Sequence, residues 1–223
     1  MLEELKKYAG VAYSNVDTIQ NTYDLSLLAS KIEGDFVECG VAAGAQIGVM
    51  GHVLKQVNSN KKIYAFDSYQ GIPLAGKFDD QQPGIGAVDP NRYIPSNPRE
   101  LLKSSGITVH SLPNVKSNIT KWGLDINKYV FVEGWFQDTL PIFSKKIDKI
   151  SLLRLDGDLY DSTKVCLEYL HNKVQKGGFV IVDDYALLGC QTAMKEYFKN
   201  HSLEFVLVPV NPNAPEVHWY QIK

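Results

Sequence analysis

Cysteine is scarce in this chain: 223 residues hold three, Cys39, Cys166 and Cys190, far apart and without a Cys-x-x-Cys pair. That odd, sparse set speaks against a disulfide framework and for buried thiols in a reducing compartment. Charge of one sign is equally scarce. Net charge is −2 and no block of Lys or Arg stands out, so no electrostatic grip on nucleic acid or an anionic membrane is expected. No apolar run approaches the roughly 20 residues of a membrane span, and the first ten residues, MLEELKKYAG, carry charges where a signal peptide needs its apolar centre. Repeats and low-complexity tracts are missing too. The expectation is a soluble, cytoplasmic protein with one domain over residues 1–223, its partner a small molecule rather than nucleic acid or membrane.

What is present is an alternation of apolar strands and amphipathic helices. Residues 1–34 form an N-terminal helical segment, with a helix over 17–34 that closes on Gly34. Strands are expected at 35–40, 61–67, 128–134, 149–156 and 177–184. Helices follow at 42–58, 137–146, 162–175 and 190–201. Two last runs, 203–210 and 216–222, have no helix between them and read as a hairpin. The fold class is therefore α/β, a mostly parallel seven-stranded sheet with helices on both faces and a C-terminal antiparallel hairpin. Residues 68–98 break the rhythm, rich in Gly and Pro and without a period. A connection of that length reads as a lid or acceptor-binding loop, with Arg92, Tyr93 and Arg99 available to a substrate.

The chemistry lies at the strand ends, where ligands to such sheets bind. The first strand runs into VECGVAAG, with Glu38, Gly40 and Gly44. Glycines let the backbone come close to a ligand, and the next helix points free N–H groups at it. A dinucleotide fingerprint would have glycine where Glu38 stands. A carboxylate is unwelcome beside phosphate but suits an ammonium group. Asp67 ends the second strand and can accept hydrogen bonds from ribose hydroxyls, while Gly134 and Trp135 offer backbone bonds and an aromatic face to a base. Taken in order, these describe a pocket for a nucleoside with a positive amino-acid tail. The fourth and fifth strands end in acids, LLRLDGDLYDST and GGFVIVDDY. As neighbours they bring Asp156, Asp183 and Asp184 together, three carboxylates that repel unless a cation joins them. An all-oxygen set with room for water suits Mg²⁺, with Mn²⁺ as the alternative. The simpler roles for nearby acids are helix caps, Asp161 or Ser162 for the helix that follows and one of Asp183 and Asp184 for the last helix.

These motifs, with YAFDSYQGIP (64–73), resemble the metal-dependent sugar O-methyltransferases of the macrocin O-methyltransferase type. That family has the Rossmann-like class I fold of S-adenosylmethionine (SAM) methyltransferases. The resemblance runs from about residue 17 to the C-terminus. It implies that Glu38 and Gly40, with Val41 and Gly44, hold the methionine end of SAM. Asp67 with Ser68 would hold the ribose, Gly134 and Trp135 the adenine, and Asp156 the cofactor's inner edge. It also implies Asp156, Asp183 and Asp184 as Mg²⁺ ligands, a sugar or glycoside as acceptor, and a homo-oligomer. Members often read Trp-Arg-Gly-Gly where this chain has AAGA (42–45), and Leu159 stands where the related catechol enzymes carry a lysine.

Methyl transfer from a sulfonium is an in-line displacement by oxygen, in which alignment and exclusion of water are the protein's task. A cation would make the hydroxyl more acidic. Asp156 is the first candidate for the proton acceptor and Asp158 the second, while His52, His110 and His218 have no place yet. A catechol or phenol acceptor shares all of this except the acceptor itself. From other classes, Asp-x-Asp at 156–158 also fits an Mn²⁺-dependent glycosyltransferase or an aspartate-nucleophile phosphatase, and a binding module without catalysis shares the cofactor pocket.

Overall fold

The computed structural model describes residues 3–79 and 94–223. Strands β1 (Asp35–Cys39), β2 (Ile63–Asp67), β3 (Tyr129–Glu133), β4 (Ile150–Leu155) and β5 (Val174–Val182) pair in parallel, while β7 (His218–Gln221) is antiparallel to β5 and to β6 (Val208–Pro209). The sheet has seven strands in the order β3-β2-β1-β4-β5-β7-β6. This is the expected fold class. The order reverses between β1 and β4, so the crevice beyond their carboxyl ends is the place for a ligand.

Period-two alternation gives the sheet two apolar faces. Phe36, Leu152 and Ile181 pack under α1 (Lys6–Ala9), α2 (Val16–Ala29), α3 (Ala45–Gln56) and α4 (Leu112–Lys121). Val37, Leu153, Val180 and Val182 pack under α5 (Phe136–Phe143), α6 (Tyr160–Leu170) and α7 (Leu188–Asn200). Among the described residues, no helix is long and apolar enough to cross a membrane.

Three expectations change. Helix α4 lies in a stretch read as neither helix nor strand; Ser111 caps it, accepting from the Asn114 N–H at 3.4 Å, and Val115 and Ile119 bury its inner edge. The sixth strand shrinks to Val208–Pro209. Leu203, Phe205 and Leu207 do turn inward onto the core, whereas Val206 is 72% exposed, so the alternation is real but lacks a ladder beside it. The helix expected over 162–175 ends at Leu170, and β5 begins at Val174 rather than 177.

Candidate cofactor and metal site

Asp67 ties the strand ends of the cofactor side together. Its Oδ2 accepts the backbone N–H groups of Val41 at 2.7 Å and Ala42 at 3.1 Å, and its Oδ1 accepts that of Tyr69 at 2.6 Å. Its carbonyl accepts the Gly134 N–H at 2.9 Å. Burial pushes the Asp67 carboxyl up, and the three N–H donors pull it back down. Gly40 needs its φ of +92° and its missing side chain: a Cβ there would meet the Asp156 carbonyl oxygen at 1.6 Å. Gly44 has φ +89°, opens α3 and faces Val115. Ser68 Oγ donates to the Gly71 carbonyl at 2.9 Å, which folds the start of the long loop. Gly40, Asp67, Ser68, Trp135 and Gln137 line a narrow cleft of about 70 Å³ that ends at Asp156 and Asp158.

On the other side of these two aspartates opens a larger pocket of about 500 Å³. Its walls come from both ends of the chain, Val11 to Asn15 and Glu216 with Val217, together with Gln46 and Leu187. Glu38, Val41, Asp156, Asp158, Asp183 and Asp184 line it as well. The cleft and the pocket share Ala42, Ile72, Thr108, Asp156 and Asp158 in their walls.

The acids converge as expected. Carboxylate oxygens of Asp156, Asp183 and Asp184 lie within 4.8 Å of one another. What the sequence reading missed stands among them. Arg154, next to last in β4, is fully buried. Its Nη1 donates to Glu38 Oε1 at 3.0 Å and to Asp156 Oδ2, and its Nη2 donates to Asp183 Oδ1. The register accounts for this: Glu38 sits opposite Arg154, and Arg154 opposite Ile181. Steps of two residues then put Asp156 and Asp183 on the same face. Burial opposes the guanidinium's charge, but Asp183, Asp156 and Glu38 outweigh it and push its pKa further up.

The acids are raised too, toward their neutral form. Burial raises Glu38 to about 8 against the pull of Arg154, with Asp156 and Asp183 adding to the rise. Asp183 is raised by burial, opposed by Arg154. Burial and then the neighbouring carboxylates raise Asp158 and Asp184. Asp184 Oδ2 accepts the Asp158 N–H at 2.8 Å, with Asp158 held at φ +58°. The three-acid group fits a hard dication: its donors are all oxygen, and more negative charge gathers here than one guanidinium balances.

The helix-cap readings do not hold. Leu159 and Leu187 occupy the cap positions of α6 and α7 and give no side-chain bond. Instead Asp79, from the long loop, accepts the Tyr160 N–H at 2.6 Å and the Gly76 N–H at 2.7 Å, which pins that loop to the start of α6. Of the loop residues proposed to meet an acceptor, Arg92 and Tyr93 lie outside the described residues. Arg99 pairs with Asp138 at 2.6 Å on the surface. The histidines stand apart from the acids: His110 Nε2 shares a 2.9 Å hydrogen bond with the Tyr13 hydroxyl, His52 lies 3.6 Å from Glu4, and His218 packs on Tyr185.

Residues 8–219 match the macrocin O-methyltransferase (TylF) family. A Streptomyces olivaceus protein, 8-demethyl-8-(2,3-dimethoxy-alpha-L-rhamnosyl)-tetracenomycin-C 4'-O-methyltransferase, is 33% identical over 84% of this chain and 66% of its own. Mycinamicin III 3''-O-methyltransferase of Micromonospora griseorubida is 29% identical over 87% of this chain and 71% of its own. The chain thus spans about two thirds of the length of these relatives. Among solved structures, the O-methyltransferase NovP superposes with a TM-score of 0.78 at 28% identity, covering 96% of this chain and 82% of that one.

Proposed function

This chain belongs to the macrocin O-methyltransferase family, and from that premise we propose that it transfers the methyl group of SAM to a hydroxyl of a sugar or glycosylated natural product with the help of a divalent cation. The observation that carries the reading is the joining of two cavities along a shared wall that holds Asp156 and Asp158, with Ala42, Ile72 and Thr108. One cavity is a narrow cleft with the hydrogen-bond groups of a nucleoside site. The other is wide, its walls mixing apolar residues with Asn15, Thr18 and Gln46 above an acidic floor, room for a glycoside. The Streptomyces olivaceus relative is named for a rhamnosyl compound, which supports the acceptor class.

When bound, SAM supplies an electrophilic methyl group on a positively charged sulfur. Mg²⁺ or Mn²⁺, when bound, would supply Lewis acidity to the acceptor hydroxyl. The chain does the rest. Asp67 and the turns that it fixes orient the nucleoside, with Ser68 shaping the loop beside it and Trp135 offering its ring. Glu38 faces the ammonium end with its free oxygen. Asp156, Asp183 and Asp184 hold the cation. Asp158 takes the acceptor's proton on a carboxylate oxygen: it lines both cavities and is not among the three acids that Arg154 holds. Asp156, the first candidate from the sequence, already gives one oxygen to Arg154. Alignment at the junction and exclusion of water there are worth several kcal/mol.

Calorimetric titration of ligand-stripped protein with S-adenosylhomocysteine (SAH), the product cofactor, tests the reading. Micromolar binding is expected, and Asp184→Asn should leave it unchanged while cutting methylation of a glycoside acceptor with Mg²⁺ by about a thousandfold. Folded protein that ignores SAH, with and without Mg²⁺, would sink the proposal.

A further inference from the structure

Arg154 stands at the centre of the acidic knot, and no step of the transfer above uses it. A fully buried arginine in a central strand is explained only by what it holds. We propose that Arg154 is a positioning residue that allots the donor atoms of the site. It engages one oxygen of each of three acids: Glu38 Oε1, Asp156 Oδ2 and Asp183 Oδ1. The second oxygens of Asp156 and Asp183 are thereby turned to the cation, and that of Glu38 to the ammonium of the cofactor. The inference rests on the metal and cofactor reading just given.

Two observations take it beyond simple neutralisation. Glu38 Oε2 is buried and has no hydrogen-bond partner among the described residues. A carboxylate oxygen left so, while its twin is engaged, is ready for a donor that a ligand brings. Asp184, in contrast, is set by a main-chain N–H. Two of the three metal-binding acids are therefore held by a group that they share with the cofactor's acid, and the third is not. A planar guanidinium can hold several carboxylates in fixed directions, whereas a lysine ammonium offers the charge without the fork. The consequence is linkage. A change at Glu38, which binds no metal, should be felt at the metal through Arg154.

Both affinities can be read without turnover. Mn²⁺ binding follows from the loss of the free-ion electron paramagnetic resonance signal, and SAH binding from calorimetry. Arg154→Lys keeps the charge. In protein that still unfolds cooperatively it is expected to weaken Mn²⁺ about tenfold or more and to weaken SAH as well. A purely structural role would lower Tm and leave both affinities of the folded fraction alone. Glu38→Asp also keeps the charge but draws the carboxylate back one methylene from Nη1. It is expected to weaken Mn²⁺ severalfold, and it decides the matter alone if Arg154→Lys does not fold. Wild-type Mn²⁺ affinity in Glu38→Asp, or in folded Arg154→Lys, overturns the proposal. A wild-type protein that binds neither probe overturns the site reading and this role together, so the two failures are told apart.

Discussion

Asp67 and the acids around Arg154 face each other across the crevice, and they are satisfied in opposite ways. Asp67 takes three main-chain N–H groups, from Val41, Ala42 and Tyr69, all within a few residues of a strand end. Glu38, Asp156 and Asp183 take one side chain, Arg154, from near the end of β4. A backbone cradle is rigid and costs no side-chain entropy, so it suits a site that must present one fixed shape to a nucleoside. A shared guanidinium binds three acids at once through its charge. The first site is prepared by geometry and the second by charge.

The strongest way to break that contrast is to attack the point where the two sides touch. Gly40 lies 1.6 Å, by its would-be Cβ, from the carbonyl oxygen of Asp156, at a φ of +92°. Both partners there are main chain and neither can yield. Gly40→Ala should therefore cost about 4 kcal/mol or more and lower Tm by about 10 °C, read by thermal unfolding. Gly44→Ala is the control: it shares the left-handed φ, but its Cβ would meet side chains alone, Val115 Cγ1 at 3.0 Å and Ile47 at 3.7 Å, which can shift. Its cost should be about 1–2 kcal/mol. Equal costs would mean that the two sites are not locked together at the backbone.

A milder substitution separates the sites instead. Asp67→Asn keeps the shape but puts an NH₂ where one carboxylate oxygen received an N–H. At least one main-chain donor then loses its acceptor, at about 1–3 kcal/mol, and SAH binding should weaken about tenfold. Mn²⁺ affinity should not move. A loss of Mn²⁺ affinity as large as that of SAH would dissolve the contrast between a geometric and an electrostatic site.

The same contrast decides what could be read in advance. Each strand's run ends at its polar residue, so Glu38, Asp67, Asp156, Asp183 and Asp184 were legible from local pattern alone, and the sheet followed from the alternation of strand and helix. Arg154 was not. Its sign was present, a charged residue inside the run KISLLRLD, where Leu153 and Leu155 on either side are buried; such a residue must be paired. Its partners depend on the register of β1 against β4 and of β4 against β5, and a single sequence does not contain that register. The wide pocket was hidden for a related reason. Residues 11–15 and 216–217 meet there from opposite ends of the chain, with no local period to announce it. Asp79 was hidden too, because a cap that crosses from a loop to α6 leaves no mark at the helix start.

The smallest expected effect gives the comparison a reference outside the crevice. His171 lies on the other face of the sheet, its ring 5.1 Å from that of Tyr197, 5.7 Å from Phe205 and 6.1 Å from Tyr220. Burial, with His201 adding to it, pushes its pKa down to about 4. Above the unfolded value of about 6.5 the ring is neutral in both states and costs nothing. As pH falls from there toward 4, the unfolded chain takes up a proton that the native ring refuses, and stability is lost. Between pH 7 and pH 5 the loss is on the order of 1–2 kcal/mol, measurable by urea unfolding, and His171→Phe should remove it. Glu38, Asp158, Asp183 and Asp184 carry the opposite sign: their raised pKa values mean that stability falls as pH rises from the ordinary carboxylate range toward the folded value, about 8 for Glu38. A cation neutralises them and should flatten that alkaline limb. It should leave the acidic limb of His171 in place. If Mg²⁺ reshaped both limbs equally, the charge held by Arg154 would not be confined to the crevice, and the division between the two carboxylate sites would lose its physical basis.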